Sequence, residues 1–300
     1  MNPLIISQVP SLRQPVLIMA FAGWNDASES ATSAVKFLLK RLRAQKFASL
    51  DPEEFYNFVE VRPQVRLADG VRREIVWPAN EFSYSLQPTL AQDLILGVGI
   101  EPHFRWRTYS DTILSLARDY KVSLIVTLGA LLADVVYSQP VRVTGSAVDP
   151  ELAAKLKLSV SRYLGPTGIV RVLHDAFRRE QLPAISLWAN VPHYIAAAPN
   201  PKATLALAKR VMTLLNFTID TSELEASSRE FDIKIAELVA KDPNISSYIR
   251  QLEERDAEER EEAAEGQSSR EEEAPSGDDL AEEFQKFLRR HREGRKESDE

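Results

Sequence analysis

Three polar residues that could act as an acid, a base and an anion clamp lie within five positions of one another. Glu101, His103 and Arg105 follow a predicted strand over residues 93–99. Side chains at the end of such a strand can reach the cleft where open α/β sheets bind their ligands. The alternative is an ordinary polar loop. If the protein is an enzyme, these three are its predicted catalytic residues.

A second candidate site is the glycine-containing loop between a predicted strand over 15–21 and the helix that follows it. The start of that helix could hold an anion with its backbone N–H groups. The alternative is a glycine turn whose Asn or Asp side chain caps the helix, and the absence of GxGxxG and GxxxxGK[ST] favours the cap over nucleotide binding. The candidate lining of a ligand pocket is Gly23, Trp24, Asn25, Asp26, Thr167 and Gly168.

The histidines form no motif typical of metal binding or catalysis. His103, His174 and His193 are in no HExxH or i,i+4 pair, and the chain has no cysteine, so we predict no metal site and no cofactor. His174 and Asp175 are adjacent on a predicted helix, where their side chains diverge, so we expect His174 at a surface or an interface. The string nearest to GxSxG, around Ser146, lacks the nucleophile elbow.

Strands and helices alternate along residues 1–220 in the manner of an α/β core domain. The pattern predicts a mostly parallel sheet that helices cover. Within it, β-rich segments on both sides of Ala68-Asp69-Gly70 predict a hairpin-like excursion over 55–86. Residues 221–252 have only helical periodicity and are predicted to be an appendage packed on the core. Its candidate interface residues are Phe231, Ile235 and Leu238.

The last part of the chain is acidic: residues 253–300 hold 19 acidic and 9 basic side chains, a net of -10 within a total of -7. Residues 253–277 are nearly devoid of apolar side chains and are predicted to be a disordered acidic linker. A short amphipathic helix over 278–292 should dock on a groove, or else be weakly helical without a partner, and 293–300 should be a disordered tail. The apolar face of that helix is Leu280, Phe284, Phe287 and Leu288.

We predict a cytoplasmic protein, and the composition, with 44% hydrophobic and 27% charged residues, is typical of ordinary globular domains. The absence of cysteine fits a reducing compartment, the first residues have no signal-peptide pattern, and no apolar run reaches the roughly 20 residues of a membrane span. Residues 1–252 carry 28 basic and 25 acidic groups, which gives no electrostatic footprint for nucleic acid. We therefore expect no membrane and no nucleic-acid partner.

Four sequence blocks carry a specific family resemblance. They are residues 21–27 (FAGWNDA), 129–135 (GALLADV), 165–170 (GPTGIV) and 186–204, which includes SLWANVPHYI and PNPKAT. Together they resemble the proteasome assembly chaperone 2 family, especially its actinobacterial branch, over about residues 12–252. The resemblance implies a three-layer α/β/α sandwich similar to nucleoside phosphorylase-like folds, self-association, and binding of proteasome α-subunits.

The resemblance therefore implies a chaperone-like or scaffolding protein that binds protein partners and forms homo-oligomers, without catalysis. The hydrophobic-Tyr-any tripeptide by which such chaperones dock on the proteasome is absent from the last residues, 297–300 (ESDE), so docking by insertion of the tail is not expected. The alternative is an enzyme on a phosphorylase- or hydrolase-like fold that acts on a small nucleoside- or phosphate-bearing substrate.

Overall fold

The computed structural model describes residues 3–147, 149–156, 158, 165–195 and 197–267. The strands are β1 (Leu4–Ile6), β2 (Val16–Ala22), β3 (Gln45–Leu50), β4 (Gln64–Ala68), β5 (Arg72–Val76), β6 (Glu81–Ser85), β7 (Leu94–Ile100), β8 (Leu124–Ala133), β9 (Val143–Ala147) and β10 (Ala184–Pro192). The helices are α1 (Ser30–Arg41), α2 (Trp106–Asp119), α3 (Pro150–Lys155), α4 (Ile169–Arg179), α5 (Pro201–Leu215), α6 (Ser222–Lys241) and α7 (Pro243–Gln267). None of these helices is long and apolar enough to cross a lipid bilayer.

Eight strands form one mixed sheet in the order β1-β3-β6-β7-β2-β8-β10-β9. Only the four central strands, β7, β2, β8 and β10, pair in parallel, and every other pair is antiparallel. The α/β class is confirmed, but the expectation of a mostly parallel sheet is wrong. The connection from β6 to β7 is too short for a helical crossover, so β6 runs antiparallel where it is inserted between β3 and β7.

Helices cover both faces of the sheet, as the alternation along β2 makes clear. Val16, Ile18 and Ala20 lie in one apolar cluster with α1 and α5. Leu17 and Met19 point the other way and lie in a second cluster with α2 and α4. Because successive side chains of a strand point to opposite faces, these two clusters are the two interfaces of a three-layer α/β/α sandwich.

The hairpin predicted around Asp69-Gly70 is present and stands apart from the main sheet. Strands β4 and β5 pair antiparallel as a separate two-stranded sheet, with positive φ at both turn residues. The preceding β-rich segment forms no strand. Its Phe55 and Tyr56 are instead buried in the core.

The C-terminal helices differ from the predicted linker. Helix α7 continues to Gln267, so the prediction of a disordered linker is wrong for residues 253–267. Glu, Arg and Ala are strong helix formers, and their lack of apolar surface argues against a core but not against a helix. Residues 268–277, the predicted helix 278–292 with Leu280, Phe284, Phe287 and Leu288, and the tail 293–300 lie outside the described residues.

Candidate functional site

A cavity of about 760 Å³ opens near the carboxyl ends of β2 and β8, and β9 and β10 also contribute to its wall. This is the edge at which open α/β sheets place their ligands. Five of the six residues predicted to line a pocket meet here: Gly23, Trp24, Asn25, Thr167 and Gly168. The first three come from the loop between β2 and α1, and the other two immediately precede α4. The fold thus brings together two segments that are about 140 positions apart in the sequence.

The sixth residue, Asp26, turns away from the cavity and holds the start of α1. Its Oδ1 accepts a hydrogen bond from the backbone N–H of Ala31 at 2.6 Å, and its Oδ2 accepts one from Thr32 Oγ1 at 2.5 Å. Burial raises the pKa of the Asp26 carboxyl, while the hydrogen bonds from Thr32 and Ala31 work to lower it. The helix-cap alternative is therefore the observed role of Asp26.

Glu101 connects the two segments of the cavity wall, the loop between β2 and α1 and the start of α4, by hydrogen bonds. Its Oε1 accepts hydrogen bonds from Asn25 Nδ2 at 2.9 Å and from the backbone N–H of Ile169 at 2.7 Å. A Cβ atom on Gly168 would lie 2.6 to 2.7 Å from side-chain atoms of Asn25 and Glu101. Glycine at 168 thus gives the carboxylate access to the first N–H group of α4.

His103 and Arg105 lie apart from Glu101 and from the cavity. His103 Nδ1 accepts a hydrogen bond from the backbone N–H of Asn57 at 3.2 Å, and its Nε2 lies 3.4 Å from the carboxylate of Glu60. Arg105 forms an ion pair with Glu54. The structure therefore does not bring the three candidate catalytic residues together. In the described ranges, no group of three or more acidic or histidine side chains could hold a metal ion.

We expected His174 at a surface or an interface, but the structure buries it in the wall of the cavity. Its Nε2 lies 2.8 Å from Thr127 Oγ1 of β8. Burial, helped by the positive charge of Arg171, lowers the pKa of His174 to about 4, so the ring is neutral near pH 7. The sequence did contain a signal for this burial. His174 lies four residues after Val170 and three before Phe177, which puts it on the apolar face of α4.

Sequence reasoning also missed the part of the lining that comes from β8, β9 and β10. Trp188 and Gly129 are partners in the register of β10 with β8, and a Cβ atom on Gly129 would lie 2.6 Å from the indole ring. The ring therefore packs on bare backbone. Its Nε1 donates a hydrogen bond to Ser186 Oγ at 2.5 Å. Only the register of the strands reveals this arrangement.

The appendage residues predicted to form an interface lie in three different environments. Ile235 is buried within its own chain, Phe231 is half-buried, and Leu238 is 59% exposed. Farther along, Ile249 and Leu252 of α7 pack on Val136 of the core domain. Much of the apolar face of the appendage is thus covered intramolecularly, and Leu238 is the one of the three candidates that is exposed.

Comparison with known proteins places the fold and the sequence in one family. The family model of the PAC2 family matches residues 20–239. A PAC2 family protein from Streptomyces avermitilis is 41% identical, with a TM-score of 0.73 over 78% of this chain and 99% of its own. A proteasome-assembly chaperone homologue from Mycobacterium tuberculosis is 39% identical, with a TM-score of 0.71 over the same shares.

A more distant similarity concerns the fold alone. The archaeal proteasome activator PbaB from Pyrococcus furiosus is 20% identical, with a TM-score of 0.65 over 79% of this chain and 99% of its own. No curated protein matches the chain significantly. The family match covers well over half of the sequence. The two solved relatives near 40% identity are each matched over nearly their full length. The chain therefore belongs to the PAC2 family.

Proposed function

We propose that this chain is a chaperone-like scaffold that binds other proteins in the cytoplasm and catalyses no reaction. The observation that carries the proposal is the apolar surface of the hairpin β4–β5 and its flanks. Large exposed hydrophobic side chains are concentrated there, namely Val59, Val65, Leu67, Val71, Ile75, Val76 and Trp77. Exposed apolar side chains concentrated in one segment in this way are typical of a protein interaction site.

The hairpin carries these side chains in an arrangement suited to a partner. Val65 and Ile75 are paired across the two strands, and Leu67 lies two positions from Val65, so all three share one face. Around them, residues 59–77 include four arginines and three acidic residues. An apolar centre with a rim of mixed charge is the usual composition of a protein–protein interface.

The relatives indicate which partner to test first. A homologue 39% identical to this chain is described as a proteasome-assembly chaperone homologue. Proteasome subunits are therefore the class of partner that we propose, together with a second copy of this chain in a homo-oligomer. Exposed Leu238 on α6 is available for the second contact.

The separation of the candidate catalytic residues supports a binding role over the enzyme alternative. An enzyme acting on a nucleoside- or phosphate-bearing substrate would need its acid, base and anion clamp at one place. Glu101 is engaged at the start of α4, whereas His103 and Arg105 contact Glu60 and Glu54 on another loop.

Affinity capture from the native cytoplasm, followed by mass spectrometry, tests the proposal with a matched pair of variants. The first variant, Val65→Thr with Leu67→Thr and Ile75→Thr, removes the apolar face but keeps residues that favour strands. The control, Gln64→Thr with Arg66→Thr and Glu74→Thr, makes the same number of changes on the opposite face of the hairpin.

We expect the unmodified protein and the control to recover proteasome subunits. The first variant should recover at least about tenfold less, because a loss of about 1.4 kcal/mol in binding free energy lowers the affinity tenfold. Equal recovery by all three proteins would exclude the hairpin as the binding surface. Failure of the unmodified protein to recover any proteasome subunit would contradict the proposed class of partner.

A further inference from the structure

We propose that the cavity near the carboxyl ends of β2 and β8 binds a small molecule whose planar, apolar body carries an oxyanion. This site is separate from the hairpin, and the inference does not rest on the proposed protein-binding function. Its volume of about 760 Å³ lies within the usual range of roughly 300 to 1,000 Å³ for small-molecule pockets.

The first argument is a hydrogen-bond donor on His174. The buried hydroxyl of Thr127 has two acceptors in reach, His174 Nε2 at 2.8 Å and the carbonyl oxygen of Ile185 at 3.5 Å. We assign the shorter contact as the hydrogen bond that the hydroxyl donates, and this assignment makes Nε2 the acceptor and puts the proton of the neutral ring on Nδ1. Nδ1 forms no hydrogen bond within the part of the chain that the structure describes. Because His174 lines the cavity, Nδ1–H is left for a ligand acceptor.

The second argument is the charge of the lining. Arg171 lies on α4 one turn before His174 and also lines the cavity. Ser186 Oγ accepts from Trp188 Nε1, which leaves its own proton for another acceptor. Among the described lining residues there is one cation, Arg171, and a group of hydroxyls from Thr144, Ser146, Thr167 and Ser186. The nearby carboxylate of Glu101 is not one of them, and its Oε1 already accepts hydrogen bonds from Asn25 and from the N–H of Ile169. Such a wall matches an oxyanion, which forms the stronger charge-assisted hydrogen bonds.

The third argument is the shape and polarity of the remaining wall. The indole ring of Trp188 packs on the backbone of Gly129, which makes the ring a rigid flat surface. Trp24, Leu131 and Leu132 line the same cavity and are exposed to solvent. Aromatic and aliphatic walls of this kind favour a planar apolar body, which stacks on the indole while the oxyanion faces Arg171 and His174.

Isothermal titration calorimetry with two probes and their uncharged counterparts tests this inference. The probes are 2-naphthoate, a carboxylate, and adenosine 5′-monophosphate, a phosphate monoester. Their counterparts are 2-naphthamide and adenosine. The variant Arg171→Gln removes the cation from the lining, and the control Arg178→Gln removes an exposed arginine from the same helix outside the cavity.

We expect at least one oxyanion probe to bind with a dissociation constant below about 1 mM, a binding free energy of about -4 kcal/mol. Its uncharged counterpart and Arg171→Gln should each weaken binding at least about tenfold, and Arg178→Gln should leave it unchanged. Which of the two probes binds distinguishes a carboxylate ligand from a phosphate ligand. The inference is overturned if neither oxyanion binds, or if the uncharged counterparts or Arg171→Gln bind equally well.

Discussion

His174 should make the stability of the protein depend on pH. Its pKa is lowered by burial from 6.5 to about 4. As the pH falls below 6.5, the unfolded chain takes up a proton at this ring and the folded protein does not. The contribution of neutral His174 to the free energy of unfolding is therefore complete above pH 6.5. Up to about 3 kcal/mol of this contribution is lost as the pH falls to 4.

The variant His174→Gln has no such titration. The difference in free energy of unfolding between the unmodified protein and this variant should therefore narrow by up to about 3 kcal/mol from pH 7 to pH 4. Urea denaturation at several pH values measures it. A difference that stayed constant with pH would show that the ring titrates alike in the folded and unfolded states.

Gly99 on β7 has no room for a side chain. A Cβ atom there would lie 1.2 Å from Oδ1 of the buried Asn80 and 2.8 Å from its Cα, and that Oδ1 accepts a hydrogen bond from the N–H of Ile100 at 2.8 Å. Gly99→Ala should lower the free energy of unfolding by about 3 kcal/mol or more, because both the side chain and the backbone of Asn80 must move.

Gly97 on the same strand is the matched control for that substitution. A Cβ atom added at Gly97 would lie 2.9 Å from Cγ of Met19 and 3.0 Å from the ring of Phe82. Its three nearest neighbours are all side-chain atoms. Side chains give way more easily, so Gly97→Ala should cost about 1 to 2 kcal/mol in urea denaturation. Equal losses at the two positions would mean that Asn80 is not fixed in place.

At the scale of the elements, helix α1 depends on an acid outside the helix. Asp26 accepts hydrogen bonds from the N–H groups of Ala31 and Thr32, and two residues with positive φ, Ser28 and Glu29, bring it within reach. Asp26→Ala should lower the free energy of unfolding by about 1 to 2 kcal/mol, and Asp26→Asn, which keeps an oxygen acceptor, by less. Thermal unfolding checks this order, and equal losses would show that the oxygen acceptor is not what stabilises the helix.

Local signals in the sequence predict individual elements well. Helix α5 begins at Pro201, a residue that suits the first turn of a helix, and Asn200 before it accepts a hydrogen bond from the N–H of Ala203. The direction of β6 could not be predicted in the same way. Which strands pair is decided by long-range contacts, and residue periodicity contains no information on them.

The residues of the candidate site also differ in whether local sequence signals could predict them. Gly23 directly follows the end of β2, and Thr167 lies just before the start of α4. Both could be predicted because α/β sheets bind ligands at such ends of their elements. Ser186 and Trp188 could not, since they lie within β10 and reach the cavity only through its register with β8. Glu101 was predicted as an acid, but its hydrogen bonds hold the start of α4.

For the whole molecule, the burial of α7 predicts where a protease can cut. Ile249 and Leu252 pack on Val136, and Tyr248 OH donates to Asp134 at 3.0 Å, so the helix is attached to the body up to about this point. Limited proteolysis should leave a stable fragment that ends beyond Leu252, because cleavage needs a segment that can unfold locally. Mass spectrometry identifies its end, and a fragment ending before Pro243 would contradict the attachment.

The central claim is that the apolar face of the hairpin binds a protein, and sedimentation velocity tests it most directly. The unmodified chain is mixed with purified proteasome α-subunits from the same organism and compared with the two threonine variants. We predict that the unmodified chain and the Gln64, Arg66 and Glu74 variant sediment with the subunits. The Val65, Leu67 and Ile75 variant should sediment as it does alone. The account is contradicted if the unmodified chain sediments identically with and without the subunits, or if the apolar-face variant still sediments with them.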